Sequence, residues 1–312
     1  MQTRKQAIVI AVANGKGGIG KTTTTAVLGT QLSMLGYRVL VIDNDPQANL
    51  SSVLGYTGYT GMNLYNVLLE QDEATLSKCM LKTAIDPETM QYFNPLKFPE
   101  RPAQPGPMLI PITSAARQAD FELKSKIDVW VYQLRDALQA VMDLFDYILI
   151  DCSPSLGALT VNAFNAAQFV LVPMLPERLV AEGLADLIGA VATVKRKTNT
   201  SLQIAGVFFS MVLQNWRAHS DVKNSFRTLE TRQNLVKVLG ADTPPLYVFN
   251  TEIKHNALLA NSTNEGSLLV IDNPKSQYTK AYWLLLAEIT KIIGGAAQMK
   301  TQQVAANIQA GK

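Results

Sequence analysis

The sequence predicts an α/β fold: a mostly parallel, doubly wound sheet with helices on both faces. Short runs rich in β-branched residues alternate with stretches of helix length, the arrangement that strand–helix–strand crossovers require. Several of those runs are apolar at every position, as strands buried on both faces must be. A glycine-rich turn follows the first run and opens into a helical stretch, which puts a ligand site at the carboxyl ends of the strands.

The runs, in order, are AIVIAVAN (7–14), YRVLVID (37–43), MLIPI (108–112), DYILID (146–151), QFVLVPM (168–174) and IAGVFFSM (204–211), with PLYVFN (245–250) as a seventh strand. Helices are predicted near 21–36, 63–83, 114–145, 155–166, 177–197, 217–240, 252–262 and 276–294. Residues 1–294 read as one domain without repeats. A segment at 87–111 holds 7 of the 14 prolines and predicts an extended loop, an insertion spanning about 86–107. The tail 295–312 has weak apolar periodicity and is expected to be flexible.

Composition bounds the class. The chain has 312 residues, 47% hydrophobic and 17% charged, which excludes a mainly disordered chain and a coiled coil. No stretch approaches the ~18 apolar residues of a membrane span. The basic N-terminal start runs into the glycine-rich segment, so no signal peptide is expected. Cys79 and Cys152 form no metal or redox pattern, and a reducing cytoplasm is the expectation. His219 and His255, the only histidines, sit in no triad or zinc motif and are expected at the surface. Charge is uneven. Residues 1–194 carry 14 basic and 18 acidic side chains, whereas 195–312 carry 14 basic and 7 acidic, net +7, a balance compatible with a polyanion partner.

The sharpest signal is Gly15-Lys16-Gly17-Gly18-Ile19-Gly20-Lys21-Thr22, which fits G-x-x-x-x-G-K-[ST] at every fixed position, between a strand and a helix. Glycines let backbone N–H groups turn inward around an anion, and the helix N-terminus adds its positive dipole. The pattern assigns Gly17, Gly18, Ile19 and Gly20 to the phosphate cradle and Lys21 to the β- and γ-phosphates. It gives Thr22 to Mg²⁺ and Thr23 to the α-phosphate. Two strand ends supply carboxylates at the same edge. Asp151 closes DYILID and suits the metal's water shell, and Asp43 and Asp45 of VLVIDNDP offer an acid to orient an attacking water.

These segments resemble the ParA/MinD family of deviant-Walker P-loop ATPases. KGGIGKTTT carries the family's extra lysine, Lys16. VLVIDNDPQANLSSVLG is similar to its second motif, and DYILIDCSPSLGALTVNAFNAAQFVLVPMLPERLVAEGL to its third. GVFFSMVLQNWRAHSDV and VFNTEIKHNALLANSTNEGSLLVIDNPKSQYTKAY resemble the ParA branch, and no helix-turn-helix domain is expected ahead of the phosphate loop. The resemblance implies ATP and Mg²⁺ as cofactors and ATP hydrolysis as the activity. It implies that Lys16 reaches the partner subunit's nucleotide, that Asp45 positions the attacking water, that Asp43 lies near the metal and that Asp151 holds it through water. Met211 would pack the adenine.

It further implies an ATP-state homodimer that binds DNA non-specifically and is released when a ParB-like adaptor stimulates hydrolysis, so that plasmid or chromosomal DNA is segregated. Lys223, Arg227, Arg232, Lys237, Lys275 and Lys280 are the cations that would meet DNA. The expected location is cytoplasmic and nucleoid-associated. An alternative is the positioning of a protein cargo such as a carboxysome or chemoreceptor cluster; a MinD-like membrane regulator is disfavoured because the C-terminus lacks an apolar–basic helix.

Overall fold

The computed structural model describes residues 6–70, 73–86, 91–95, 97, 100, 103–213, 217–240, 243–255 and 276–310. Its strands are β1 (Ile8–Val12), β2 (Val39–Asn44), β3 (Leu81–Ile85), β4 (Tyr92–Phe93), β5 (Gln104–Ile110), β6 (Tyr147–Cys152), β7 (Phe169–Met174) and β8 (Gln203–Phe209). They form one sheet in the order β4-β3-β5-β2-β6-β1-β7-β8. From β5 to β8 all pairings are parallel; β3 runs antiparallel to both β4 and β5. The helices are α1 (Lys21–Met34), α2 (Asn49–Val53), α3 (Leu64–Glu70), α4 (Glu73–Cys79), α5 (Ala119–Lys126), α6 (Gln133–Gln139), α7 (Ala158–Ala166), α8 (Arg178–Lys197), α9 (Arg217–Arg227), α10 (Leu229–Val236), α11 (Gln277–Ile293) and α12 (Gln298–Gln309).

The uniformly apolar runs are explained by two cores. Alternate residues of each central strand point to opposite faces. Val9, Leu40, Ile42, Ile148 and Val170 pack against Leu123, Leu138, Phe164 and Leu187 on one side. Ile10, Val12, Val41, Leu149 and Leu171 pack against Val27, Leu28 and Leu32 of α1 and Leu285, Leu286 and Ile289 of α11 on the other. This double covering fixes the register, which sets Val12 and Asp43 on either side of Asp151 at the carboxyl edge.

Six of the seven predicted strands are present. The seventh is not a strand: residues 245–250 run beside β8 with one isolated bridge, Val207 to Val248. Pro244 and Pro245 remove donors just where a ladder would begin. The approach is nonetheless close. A Cβ on Gly206 (φ 153°) would lie 2.9 Å from the Tyr247 carbonyl oxygen, so only glycine fits. Conversely, β3 and β4 were not expected. LKTAI reads as the end of the 63–83 helix, but the chain leaves α4 at Cys79 and turns into the sheet.

The proline-rich insertion is also not merely a loop, since β4 and most of β5 lie within it. Pro105 and Pro107 precede the residues that pair with β2, Met108–Ile110, so the missing donors cost the central ladder nothing. The predicted helix at 114–145 is broken into two short 3-10 turns, α5 and α6, and that at 217–240 into α9, α10 and a terminal 3-10 turn, with Thr228 capping α10. The predicted helix at 252–262 is extended over 252–255, where Lys254 bridges Val212; its remainder lies outside the described residues.

The tail corrects another expectation. Residues 298–309 form α12, which packs on α11 through a buried Thr290–Thr301 hydroxyl contact of 2.7 Å. The Tyr37 hydroxyl donates to Ala296 O (2.8 Å), and Ala297 N donates to the Tyr147 hydroxyl (2.8 Å). These anchors are polar, which is why apolar periodicity did not reveal them. Among the described residues, no helix is long and apolar enough to cross a membrane.

Candidate nucleotide-binding site

The loop at 15–20 joins β1 to α1 at the carboxyl edge of the sheet. Gly18 (φ 71°) and Gly20 (φ 86°) adopt left-handed backbone that other L residues resist. A Cβ at Gly18 or Gly20 would meet nothing within 4 Å, so curvature and not packing selects glycine at those two positions. Two neighbours hold the loop open. The Asn14 side chain donates to Pro173 O (2.8 Å) and accepts from Lys16 N (3.1 Å). Beyond β8, the Ser210 hydroxyl donates to Ile19 O (2.8 Å), and Ile19 itself is buried. At the N-terminus of α1, Gly20 offers no capping side chain and the first turn has no acid, which leaves the amides to an anion.

The charged groups at this edge have few partners. Lys21 is buried, and its ammonium donates to Lys16 O at 2.7 Å. Burial lowers its proton affinity, opposed by the nearby charges of Asp151 and Asp45. Both Asp151 carboxylate oxygens are buried without a hydrogen bond of ordinary geometry among the described residues. Burial pushes this carboxyl well up and the Asp43 charge adds to the effect, while the Thr22 hydroxyl and Lys21 ammonium partly offset it. A buried, unpartnered carboxylate beside a hydroxyl is a donor set of the kind Mg²⁺ takes, so the residues present fit the metal. Thr22 and Thr23 are half-buried at the start of α1.

Asp43 and Asp45 separate into two roles. Asp43 is fully buried, and its Oδ2 accepts from Ser51 N (2.8 Å) and Ser51 Oγ (2.7 Å), while Oδ1 accepts from Asp45 N (3.3 Å). Burial raises its carboxyl to about 7 despite those bonds. Asp43 therefore shapes the turn that carries Asp45. Asp45 is half-exposed and accepts from Gln47 N (3.0 Å), and Ala48 closes the turn in left-handed backbone (φ 55°). Met211 (φ 53°) follows Ser210 and so stands beside the phosphate loop.

Among the described residues, the cations expected to meet DNA do not form one free patch. Lys223 Nζ lies 2.8 Å from Glu252 Oε2, and Arg227 lies 3.3 Å from Glu252 Oε1. Helical spacing does bring the two together, as expected, but around a shared carboxylate. Arg232 and Lys280 are half-buried, Lys237 is exposed, and Lys275 lies outside the described residues. His219 is not at the surface. It is 1% exposed, its Nδ1 accepts from Leu213 N (3.1 Å), and burial lowers its proton affinity.

Sequence reasoning missed four residues that shape these regions: Ser51, Ser210, Glu177 and Glu252. Ser210, at the end of an apolar strand run, was the one with a readable signal, a polar residue where the strand reaches the ligand edge. Glu177 bonds Lys16 across 161 residues, a separation no local pattern reveals.

Three comparisons bear on this geometry. A family model described as "AAA domain" matches residues 7–204. Sporulation initiation inhibitor protein Soj of Bacillus subtilis is 32% identical over 285 residues, spanning 90% of this chain and 97% of Soj. Chromosome partitioning protein ParA of Caulobacter vibrioides is 34% identical over 285 residues, spanning 90% and 93%. Among solved structures, cobyrinic acid a,c-diamide synthase from Mycobacterium smegmatis with bound ADP and magnesium gives a TM-score of 0.67 at 25% identity, covering 98% of this chain and 97% of that one.

Proposed function

Because this chain belongs to the ParA/MinD family of ATPases and is a ParA/Soj-type ATP hydrolase, we propose that it works as an ATP-gated homodimer on DNA and moves a DNA cargo. The observation that carries the reading is the phosphate loop with two lysines and one unpartnered carboxylate. Lys21 has a backbone carbonyl as its acceptor, and among the described residues Asp151 has no hydrogen-bond donor of ordinary geometry, with the Thr22 hydroxyl close by. Such groups are costly to bury unless a ligand completes them.

In this reading the amides of residues 17–22 and the Lys21 ammonium bind the triphosphate. Thr22 and, through water, Asp151 would hold Mg²⁺, with Asp43 close by; the metal would supply charge neutralisation to the phosphates. Thr23 donates to the α-phosphate and Met211 lies against the base. Asp45, carried on a turn fixed by Asp43 and Ser51, orients the attacking water. Lys16 reaches across to the partner's nucleotide and adds the positive charge that one subunit lacks, as an arginine finger does.

DNA contact falls to the basic C-terminal third, with Lys223, Arg227, Arg232, Lys237, Lys275 and Lys280 as candidates. The name of the Caulobacter relative supports partition of a chromosome; the reading extends this to plasmid DNA, nucleoid association and an adaptor of the ParB type. The test is ATPase activity of the purified chain with and without DNA and its adaptor. Slow basal turnover raised by the two together supports the proposal; turnover indifferent to both contradicts it.

A further inference from the structure

We propose that Glu177 is a positioning residue for Lys16: it parks the Lys16 ammonium in the nucleotide-free subunit and gives it up when phosphate draws Lys21 away. The inference rests on the dimer reading above and adds the step that links nucleotide capture to the reach of Lys16.

Lys16 is held at three points. Its backbone N–H donates to Asn14 Oδ1 (3.1 Å), its carbonyl accepts from Lys21 Nζ (2.7 Å), and its own Nζ meets Glu177 Oε2 at 2.9 Å. Glu177 is the residue before α8, in extended backbone (φ −116°, ψ 146°), and its side chain makes no capping bond to that helix. Its carboxylate faces Lys16 instead. Two ammonium groups on one short loop repel each other. The Glu177 carboxylate draws one of them outward while the other stays buried.

The two holds differ in strength. Lys21 is buried, whereas the Lys16 and Glu177 side chains are 43% and 34% exposed. An exposed pair of this kind shifts an equilibrium by no more than about fivefold, so it can be exchanged without a large barrier. Phosphates compete with the Lys16 carbonyl for the three donors of the Lys21 ammonium, and in this proposal that competition releases the carbonyl. That release loosens the backbone of the very residue whose side chain is parked. Capture of nucleotide within one subunit thereby frees the lysine destined for the other.

Two measurements on the full chain test this. The first is the acylation rate of Lys16 in nucleotide-free protein, read by mass spectrometry. Glu177→Gln should raise it about two- to fivefold, Glu177→Asp less, and ADP with Mg²⁺ should raise the wild-type rate towards that of Glu177→Gln. Equal Lys16 rates in wild type and Glu177→Gln overturn the parking contact. The second is the dimer dissociation constant with a non-hydrolysable ATP analogue, read by sedimentation. Glu177→Gln should tighten the dimer by up to about fivefold, and the same change in a Lys16→Ala background should do nothing. A shift that persists without Lys16 overturns the proposal. A wild-type chain that never dimerises refutes the dimer reading instead, and the acylation result then decides the parking contact alone.

Discussion

The phosphate-loop edge and the face of α9 both carry clustered cations, and they treat that charge in opposite ways. At the loop, the buried Lys21 ammonium rests on a backbone carbonyl and the buried Asp151 carboxylate lacks a partner of ordinary geometry among the described residues. On α9, Lys223 and Arg227 share the two oxygens of Glu252. A ligand entering the first region completes groups that the fold leaves incomplete; a ligand meeting the second must compete with a carboxylate already in place. Positive charge in a sequence thus identifies a binding surface only when the fold has not already neutralised it.

The largest expected effect breaks the first region. Lys21→Ala should weaken ATP binding on the order of 100-fold, measured with a fluorescent nucleotide. Thermal unfolding without nucleotide should not drop, because the lost cation was buried with little compensation. A chain that keeps its affinity would show that the loop does not bind through this lysine. Next, Asp45→Ala should cut hydrolysis by about 10²–10⁴-fold while ATP-dependent dimerisation and DNA binding persist; hydrolysis at the parent rate would remove Asp45 from the water-orienting role.

The second region predicts a smaller change of opposite sign. Glu252→Gln should strengthen DNA binding about two- to tenfold at low salt and steepen its salt dependence, since two cations become available to phosphates. Reversing Lys223 and Arg227 to Glu should weaken binding and flatten the slope. An unchanged slope in both variants would place the DNA face elsewhere.

The smallest effect concerns His219, buried at the start of α9. Burial lowers its proton affinity below the ordinary value of 6.5. Between those two values the unfolded chain binds a proton that the folded chain does not, so this residue's contribution to stability falls as pH drops below about 6.5 and is level above it. The urea midpoint should therefore fall less between pH 7 and pH 5 in His219→Gln than in wild type. Equal falls would contradict the assignment.

Much of this was legible in the sequence, and the losses have physical causes. The central strands announced themselves because double burial leaves no polar alternation, and the phosphate loop because its glycines answer to backbone geometry and not to packing. Met108–Ile110 was readable as strand, whereas Gln104–Pro107 was not, since proline content argues against a ladder unless one knows that the β2 pairing starts later. β3 was hidden behind α4, because LKTAI continues the helical pattern until tertiary pairing with β5 overrides it. Asp43 and Asp45 could be placed at one strand end but not told apart, because the difference lies in Ser51, whose hydroxyl and amide hold Asp43 in place. Glu177 and Glu252 were invisible as partners of Lys16 and Lys223, for ion pairs between distant segments leave no periodicity.

The central claim is that Lys16 acts on the neighbouring subunit's nucleotide, and subunit mixing tests it most directly. Lys16→Ala retains Asp45, and Asp45→Ala retains Lys16; each alone should hydrolyse ATP poorly. A mixed dimer contains one pocket with an intact Asp45 that receives Lys16 from its partner, so mixing should restore turnover well above either parent. If the mixture stays at the sum of its two parts, Lys16 does not act across the dimer and the account is contradicted.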